Sequence, residues 1–171
     1  MTSASFVMRT YDKLALVTPH YVFMKHTTNT TEEMITLGEK IAKKLNPGDI
    51  ILLQGELGAG KTTMAKGIAK GLGISDEIVS PTFTIMNVYN LENSKQTTVN
   101  RLVHIDTYRL ESEDNLIEIG VEDYLGEQDT VTIIEWPEKI KELLANKKTI
   151  EISIVKQQGD SREITITPDI L

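Results

Sequence analysis

Cysteine is absent from the 171 residues, which excludes disulfides, thiol nucleophiles and cysteine-ligated zinc or iron–sulfur centres. Arginine is scarce: Arg9, Arg101, Arg109 and Arg162 are the only four. Lysine and arginine together number 18 against 25 aspartates and glutamates, a formal net charge of −7. Such a chain is poorly suited to grip a long stretch of nucleic acid by itself. Long apolar runs are missing as well. None approaches the roughly 20 residues needed to cross a bilayer, and Ile50–Leu53 is only a strand's length, so no membrane partner is expected. Residues 1–23 carry no long apolar stretch and no small-residue cleavage site, so no secretory signal is expected. The sequon at Asn29-Thr30-Thr31 is therefore read as coincidence. The rest of the composition, 40% hydrophobic and 25% charged, suits one globular domain with an expected cytoplasmic location.

Residues 1–23 show no clear period and are expected to be a loosely ordered extension or a misassigned start, with an added strand or docking arm as the alternative. A single domain is expected over residues 24–171. Val22–Thr27 has the length of a short strand. Thr30 is a good helix N-cap, and Glu33 three residues on completes a capping box. Met34, Leu37, Ile41 and Leu45 then share one helical face, with Pro47-Gly48 as the stop. Ile50–Leu53 is a continuous apolar strand of the kind covered on both faces. Met64, Ile68 and Leu72 repeat at helical spacing up to Gly73. Phe83–Leu91 and Val99–Ile105 predict two strands joined by a polar linker containing Asn93, Ser94 and Lys95. Ser112–Glu118 predicts a short helix capped by Ser112. Val131–Ile134 is another buried strand, and Pro137 opens a helix to about Leu144. Ile150, Ile152, Ile154, Ile164 and Ile166 predict a terminal hairpin around residues 157–161.

Between the Ile50–Leu53 strand and the next helix, Gly55-Glu56-Leu57-Gly58-Ala59-Gly60-Lys61-Thr62 fits G-x-x-x-x-G-K-[ST] residue for residue. Glycines let the backbone approach an anion, successive N–H groups turn inward, and the following helix points its positive end at the same phosphates. Lys61 supplies a point charge for the β- and γ-phosphates, and the Thr62 hydroxyl is a Mg²⁺ ligand. The nucleotide contacts are thus expected along Glu56, Leu57, Gly58, Ala59, Gly60, Lys61, Thr62 and Thr63. A carboxylate should close the site from a neighbouring strand end. Asp106 ends Arg101–Ile105, and Thr107 stands where many P-loop ATPases carry a glutamate. Glu135 ends Val131–Ile134 and is the natural substitute. Sequence leaves open which of Asp106 and Glu135 holds the metal and which activates water. Strands alternating with helices around this loop predict an α/β fold. The expected form is a P-loop NTPase-like three-layer sandwich with a mainly parallel central sheet and a C-terminal antiparallel hairpin.

Five segments taken in order, Gly55–Thr63, Ser80–Thr84, His104–Arg109, Gly120–Tyr124 and Glu135-Trp136-Pro137, resemble the TsaE (YjeE) family over about Thr30–Glu151. These are bacterial P-loop ATPases required for forming threonylcarbamoyladenosine (t6A) in tRNA. The resemblance implies Mg–ATP bound by Lys61 and Thr62 with Asp106 and Glu135 on the metal side. It implies a switch-like Ser80-Pro81-Thr82 segment facing the γ-phosphate, and Thr31 beside the adenine. It also implies the TsaD and TsaB proteins as partners, with tRNA met only through their complex. Residues 1–23 depart from the family pattern, and a chain beginning at Met24 is expected to fold and bind ATP like the longer one, as circular dichroism and calorimetry would show.

Tyr108, Arg109 and Trp136 are expected around the γ-phosphate or on the partner face. The expected activity is a weak, partner-stimulated ATPase. One alternative is a small P-loop kinase, disfavoured because only Arg101, Arg109 and Arg162 follow the loop to hold a second phosphorylated substrate. Another is a nucleotide-gated binding module whose hydrolysis is incidental. A GTPase is weaker, since Asn146-Lys147-Lys148-Thr149 lacks the aspartate of the N-K-x-D pattern.

Overall fold

A computed structural model describes residues 24–91 and 99–171. The expected extension over residues 1–23 and the linker residues Asn93, Ser94 and Lys95 lie outside the described residues.

The described chain runs β1 (Met24–Thr28), α1 (Thr31–Ala42), β2 (Ile50–Gln54), α2 (Lys61–Leu72), β3 (Met86–Asn90), β4 (Arg101–Asp106) and α3 (Asp114–Glu118). It continues with β5 (Thr130–Glu135), α4 (Lys141–Leu144), β6 (Thr149–Lys156) and β7 (Arg162–Thr167). The strands form one sheet in the order β1-β7-β6-β2-β5-β4-β3. Its centre, β6-β2-β5-β4, is parallel. The pairings β1–β7, β6–β7 and β3–β4 are antiparallel. The sheet is therefore mixed rather than mainly parallel. Short connections within β3–β4 and β6–β7 leave no room for a crossover helix, so those neighbours must run antiparallel.

Alternation along β2 decides how the sheet is covered. Ile51 and Leu53 face the layer made by α1 and α2, while Ile50 and Leu52 face a second layer with Val103, Ile105, Leu116, Val121 and Ile140. Both faces at the centre are buried, which is why the strand reads as an unbroken apolar run.

α1 and α2 cross closely through glycine. A Cβ at Gly67 would lie 2.4 Å from Ile35 O, and one at Gly38 would lie 2.8 Å from Gly67 Cα. Backbone cannot yield like a side-chain tip, so Gly67→Ala should destabilise the protein by about 1–3 kcal/mol through overpacking. A melting curve that shows no drop in Tm would contradict this account of the helix crossing.

Local expectations held where the cause was local. Thr30 Oγ1 accepts from Glu33 N at 3.1 Å, although the Glu33 carboxylate takes Asn29 N at 2.6 Å, one residue earlier than the expected box. α1 stops at Ala42 rather than at Pro47-Gly48, with Lys44 N donating to Ile41 O. Leu45 packs against the core from beyond the helix. Gly73 ends α2 in the left-handed conformation, as expected.

Three further expectations need correction. Residues 83–85 are not strand: Ile85 N donates to Pro81 O at 2.6 Å, Ile85 has φ 66°, and Phe83 is 83% exposed. Ser112 does not cap α3, which begins at Asp114; the preceding Glu113 carboxylate accepts from Glu142 N instead, tying α3 to α4. The helix expected from Pro137 is split into a 3₁₀ turn at Pro137–Lys139 and the single-turn α4. Ile140 leaves the helical conformation between them and is fully buried in the second layer.

Candidate functional site

β2 delivers the chain into the glycine loop, and the loop delivers it into α2. Gly55, Gly58 and Gly60 all have positive φ, at 150°, 71° and 112°. Gly55 is also required by contact, since a Cβ there would sit 2.5 Å from Ile154 O. Gly60 occupies the N-cap of α2 with no side-chain cap, which leaves the first N–H groups of that helix for an anion. Two donors from the terminal hairpin brace the loop from outside: Lys156 Nζ donates to Leu57 O at 2.7 Å and Arg162 Nε to Ala59 O at 3.1 Å.

Lys61 is 5% exposed. Its ammonium folds back on the loop, donating to Gly55 O at 2.8 Å and Glu56 O at 3.1 Å, and lies 3.8 Å from the centre of the Trp136 ring. Burial lowers its pKa from the ordinary lysine value, against an opposing pull from the carboxylates of Glu135, Asp106 and Glu138. A buried cation held by carbonyls and a ring face is readily claimed by a stronger anionic acceptor.

The two carboxylates stand side by side because β4 and β5 are in parallel register, Asp106 opposite Glu135. At the other end the same pair of strands is pinned by Arg101 Nη2 donating to Asp129 Oδ1 at 2.7 Å. Their partners differ. Glu135 Oε1 accepts from Thr62 Oγ1 at 2.9 Å. Asp106 Oδ2 accepts from Ser80 Oγ at 3.2 Å and Thr82 Oγ1 at 2.5 Å, and its Oδ1 accepts from Tyr108 N at 2.9 Å. So the P-loop threonine meets Glu135, while the Ser80-Pro81-Thr82 segment is tied to Asp106. The Thr62 hydroxyl and the Glu135 carboxylate, with Asp106 in the adjacent register position, offer oxygen donors that suit Mg²⁺ with phosphate and water completing the shell. Among the described residues no group of three or more His, Cys, Asp or Glu side chains could hold a metal alone.

Trp136 takes φ 61° and ψ 47° directly after Glu135. This left-handed turn is held by Trp136 N donating to Leu53 O at 3.3 Å and by the Thr107 hydroxyl donating to Trp136 O at 2.5 Å. Its ring packs tilted by 43° against that of Tyr108 with centroids 5.0 Å apart, and the Tyr108 carbonyl accepts from Lys139 Nζ. The Arg109 guanidinium lies 4.2 Å from the exposed Phe83 ring. A ladder of cations and aromatic rings thus runs from Lys61 to the surface.

Thr31 lines a cavity of about 370 Å³ between the start of α1 and the glycine loop, together with Met34, Gly60 and Thr63. Asp160 and Arg162 close it from the terminal hairpin. Nothing in the local sequence marks those two residues, because only the β6–β7 turn brings them to the loop. His104 was also missed as a site residue: fully buried, its Nε2 lies 2.9 Å from Glu135 Oε1. A larger groove of about 740 Å³ runs beside Trp136 and Pro137, lined among others by Glu56, Glu138, Lys141 and Glu151.

Residues 28–164 match the family model described as threonylcarbamoyl adenosine biosynthesis protein TsaE. The chain is 40% identical over 144 residues to the tRNA threonylcarbamoyladenosine biosynthesis protein TsaE of Bacillus subtilis (strain 168), covering 84% of this chain and 85% of that one. It is 36% identical over 143 residues to the protein of the same name from Treponema pallidum (strain Nichols), covering 84% and 99%. The crystal structure of Bacillus subtilis YdiB superposes with a TM-score of 0.69 at 35% identity over 85% of each chain.

Proposed function

The chain belongs to the TsaE family, and from that premise we propose that it is a Mg²⁺-dependent, weak ATPase that supports t6A formation in tRNA by cycling a TsaB–TsaD complex. In this reading the α/β fold is a P-loop NTPase-like three-layer sandwich, the protein works in the cytoplasm, and it meets tRNA only through its partners. The observation that carries the proposal is the meeting of Lys61, Thr62, Glu135 and Asp106 at one end of the parallel strands, beside an uncapped helix N-terminus.

The steps follow from the donors present. The N–H groups of Gly58–Thr62 take the β-phosphate, and the adenine lies against Thr31 in the cavity closed by Arg162. The Lys61 ammonium exchanges Gly55 O and Glu56 O for phosphate oxygens. The Thr62 hydroxyl keeps its proton and goes on donating it in a hydrogen bond to Glu135 Oε1; Thr62 and Glu135 would hold a Mg²⁺ ion, which would neutralise charge on the phosphates. Asp106 then orients the attacking water and links it to Ser80 and Thr82. Loss of the γ-phosphate frees that segment and the Tyr108-Arg109 exit to present a changed surface, with Phe83 at its tip. The groove beside Trp136 carries three glutamates against the one lysine, Lys141, an unfavourable charge balance for a second phosphorylated substrate, which argues against a kinase.

Multiple-turnover threonylcarbamoylation of tRNA with purified components tests the reading. Turnover should stall without this protein, and full-rate turnover in its absence would sink the proposal, as would tight tRNA binding by the isolated chain at physiological salt.

Trp136 provides an optical check. Because the Lys61 ammonium sits on its ring, saturating Mg–ATP should change the fluorescence of this sole tryptophan with the same midpoint that calorimetry reports. A flat signal across a calorimetrically proven titration would contradict the withdrawal of Lys61.

A further inference from the structure

One buried histidine at the site has no part in the steps above. His104 is fully buried on β4, two residues before Asp106. Its Nε2 lies 2.9 Å from Glu135 Oε1, the same oxygen that accepts the Thr62 hydroxyl. Its other ring nitrogen, Nδ1, is buried with no hydrogen-bond partner. A carboxylate oxygen only accepts, so the tautomer with its proton on Nε2 satisfies the contact and leaves a bare lone pair at Nδ1. The opposite tautomer would set a lone pair against the carboxylate and bury an unpaired N–H as well.

Two donors from different elements, Thr62 on α2 and His104 on β4, therefore converge on one oxygen of Glu135. Turning that carboxylate would cost both bonds, one of them inside a sealed layer. Among the described residues none hydrogen-bonds to the other oxygen, Oε2. A histidine kept only for packing is a poor explanation, because a leucine would fill the site without an orphaned nitrogen. The geometry points to His104 as a positioning residue that locks the Glu135 carboxylate with Oε2 available to the divalent cation. This role rests on the Mg–nucleotide reading of the site.

Two substitutions separate orientation from packing. His104→Leu fills the space without a donor. His104→Gln restores an N–H near the Nε2 position. ADP binding is measured by calorimetry in EDTA and again across a Mg²⁺ titration. In EDTA all three proteins should bind ADP alike. The Mg²⁺ concentration giving half of the affinity gain should rise about 10–100-fold in His104→Leu and return near the wild-type value in His104→Gln. An unchanged Mg²⁺ midpoint in His104→Leu, or a glutamine variant as impaired as the leucine one, overturns the assignment.

A second measurement needs no variant. Long-range ¹⁵N–¹H spectra of the wild-type chain should show His104 protonated on Nε2, with that nitrogen's shift moving on Mg–ADP and not on ADP alone. A proton on Nδ1, or a shift indifferent to Mg²⁺, rejects the role even if His104→Leu does not fold. Wild-type protein that binds no ADP in either condition overturns the nucleotide-site reading itself, and the His104 role with it.

Discussion

Lys61→Ala is expected to lower Mg–ATP affinity by about 100-fold and to remove measurable ATP turnover, while leaving the fold intact. The affinity loss corresponds to two charge-assisted hydrogen bonds at the low end of their usual strength. The fold should survive because, among the described residues, the ammonium makes no ion pair: it donates to two loop carbonyls and covers Trp136. Burial lowers its pKa, so carrying the charge opposes folding at neutral pH. Between the lowered folded value and the ordinary lysine value, the unfolded chain binds more protons than the folded one. Stability of the wild type therefore rises with pH through that window, and the variant should lack the rise. Calorimetric Mg–ATP titrations and chemical denaturation at several alkaline pH values check both parts. Unchanged nucleotide affinity and unchanged turnover would show that the loop is not the phosphate site.

Glu135→Ala should damage the protein in two ways at once. Thr62 Oγ1 and the fully buried His104 Nε2 both lose their acceptor, and each stranded donor costs about 1–3 kcal/mol. Mg²⁺-stimulated hydrolysis should fall on the order of 100-fold, the scale of disrupting a metal site and its supporting shell. Glu135→Gln separates these effects. Its side-chain carbonyl still accepts from Thr62 and His104, so Tm should recover, while Mg²⁺ dependence stays weak because the carboxylate charge is gone. Asp106→Asn should do the reverse, preserving the Mg²⁺ midpoint and lowering turnover. Steady-state assays across a Mg²⁺ series read all three variants. A normal Mg²⁺ midpoint in Glu135→Gln would move the metal away from Thr62 and Glu135.

The glycine loop, the cap at Thr30, the stop at Gly73 and the doubly covered strand at residues 50–53 were legible in the sequence. Each depends on residues within one or two turns of chain. Glycine spacing dictates the backbone angles of the loop, a hydroxyl three residues before an N–H can cap it, and apolar runs mark burial on both faces. The five motifs in order carried enough further information to single out the family. Residues 83–85 misled because alternating Phe83 and Ile85 imitate a strand, while the force on that stretch comes from Asp106, more than 20 positions away, holding Ser80 and Thr82.

The different partners of the two carboxylates lay outside any local pattern. Asp106 and Glu135 both end buried strands, and only the parallel register of β4 and β5 sets them side by side while α2 turns Thr62 toward Glu135, 73 residues along the chain. His104 gains its meaning from the same register, across 31 residues. Asp160 and Arg162 reach the cavity beside Thr31 only because the terminal hairpin folds back beside the loop. The sequence by itself determined the glycine loop, through short-range sterics and hydrogen bonding, the α/β class, through the alternation of strand and helix patterns, and the family, through five motifs in order. Tertiary structure alone decided sheet order, the glycine crossing of the two long helices and the partner of each charged group, because strand pairing and helix packing join residues whose separation no local propensity records.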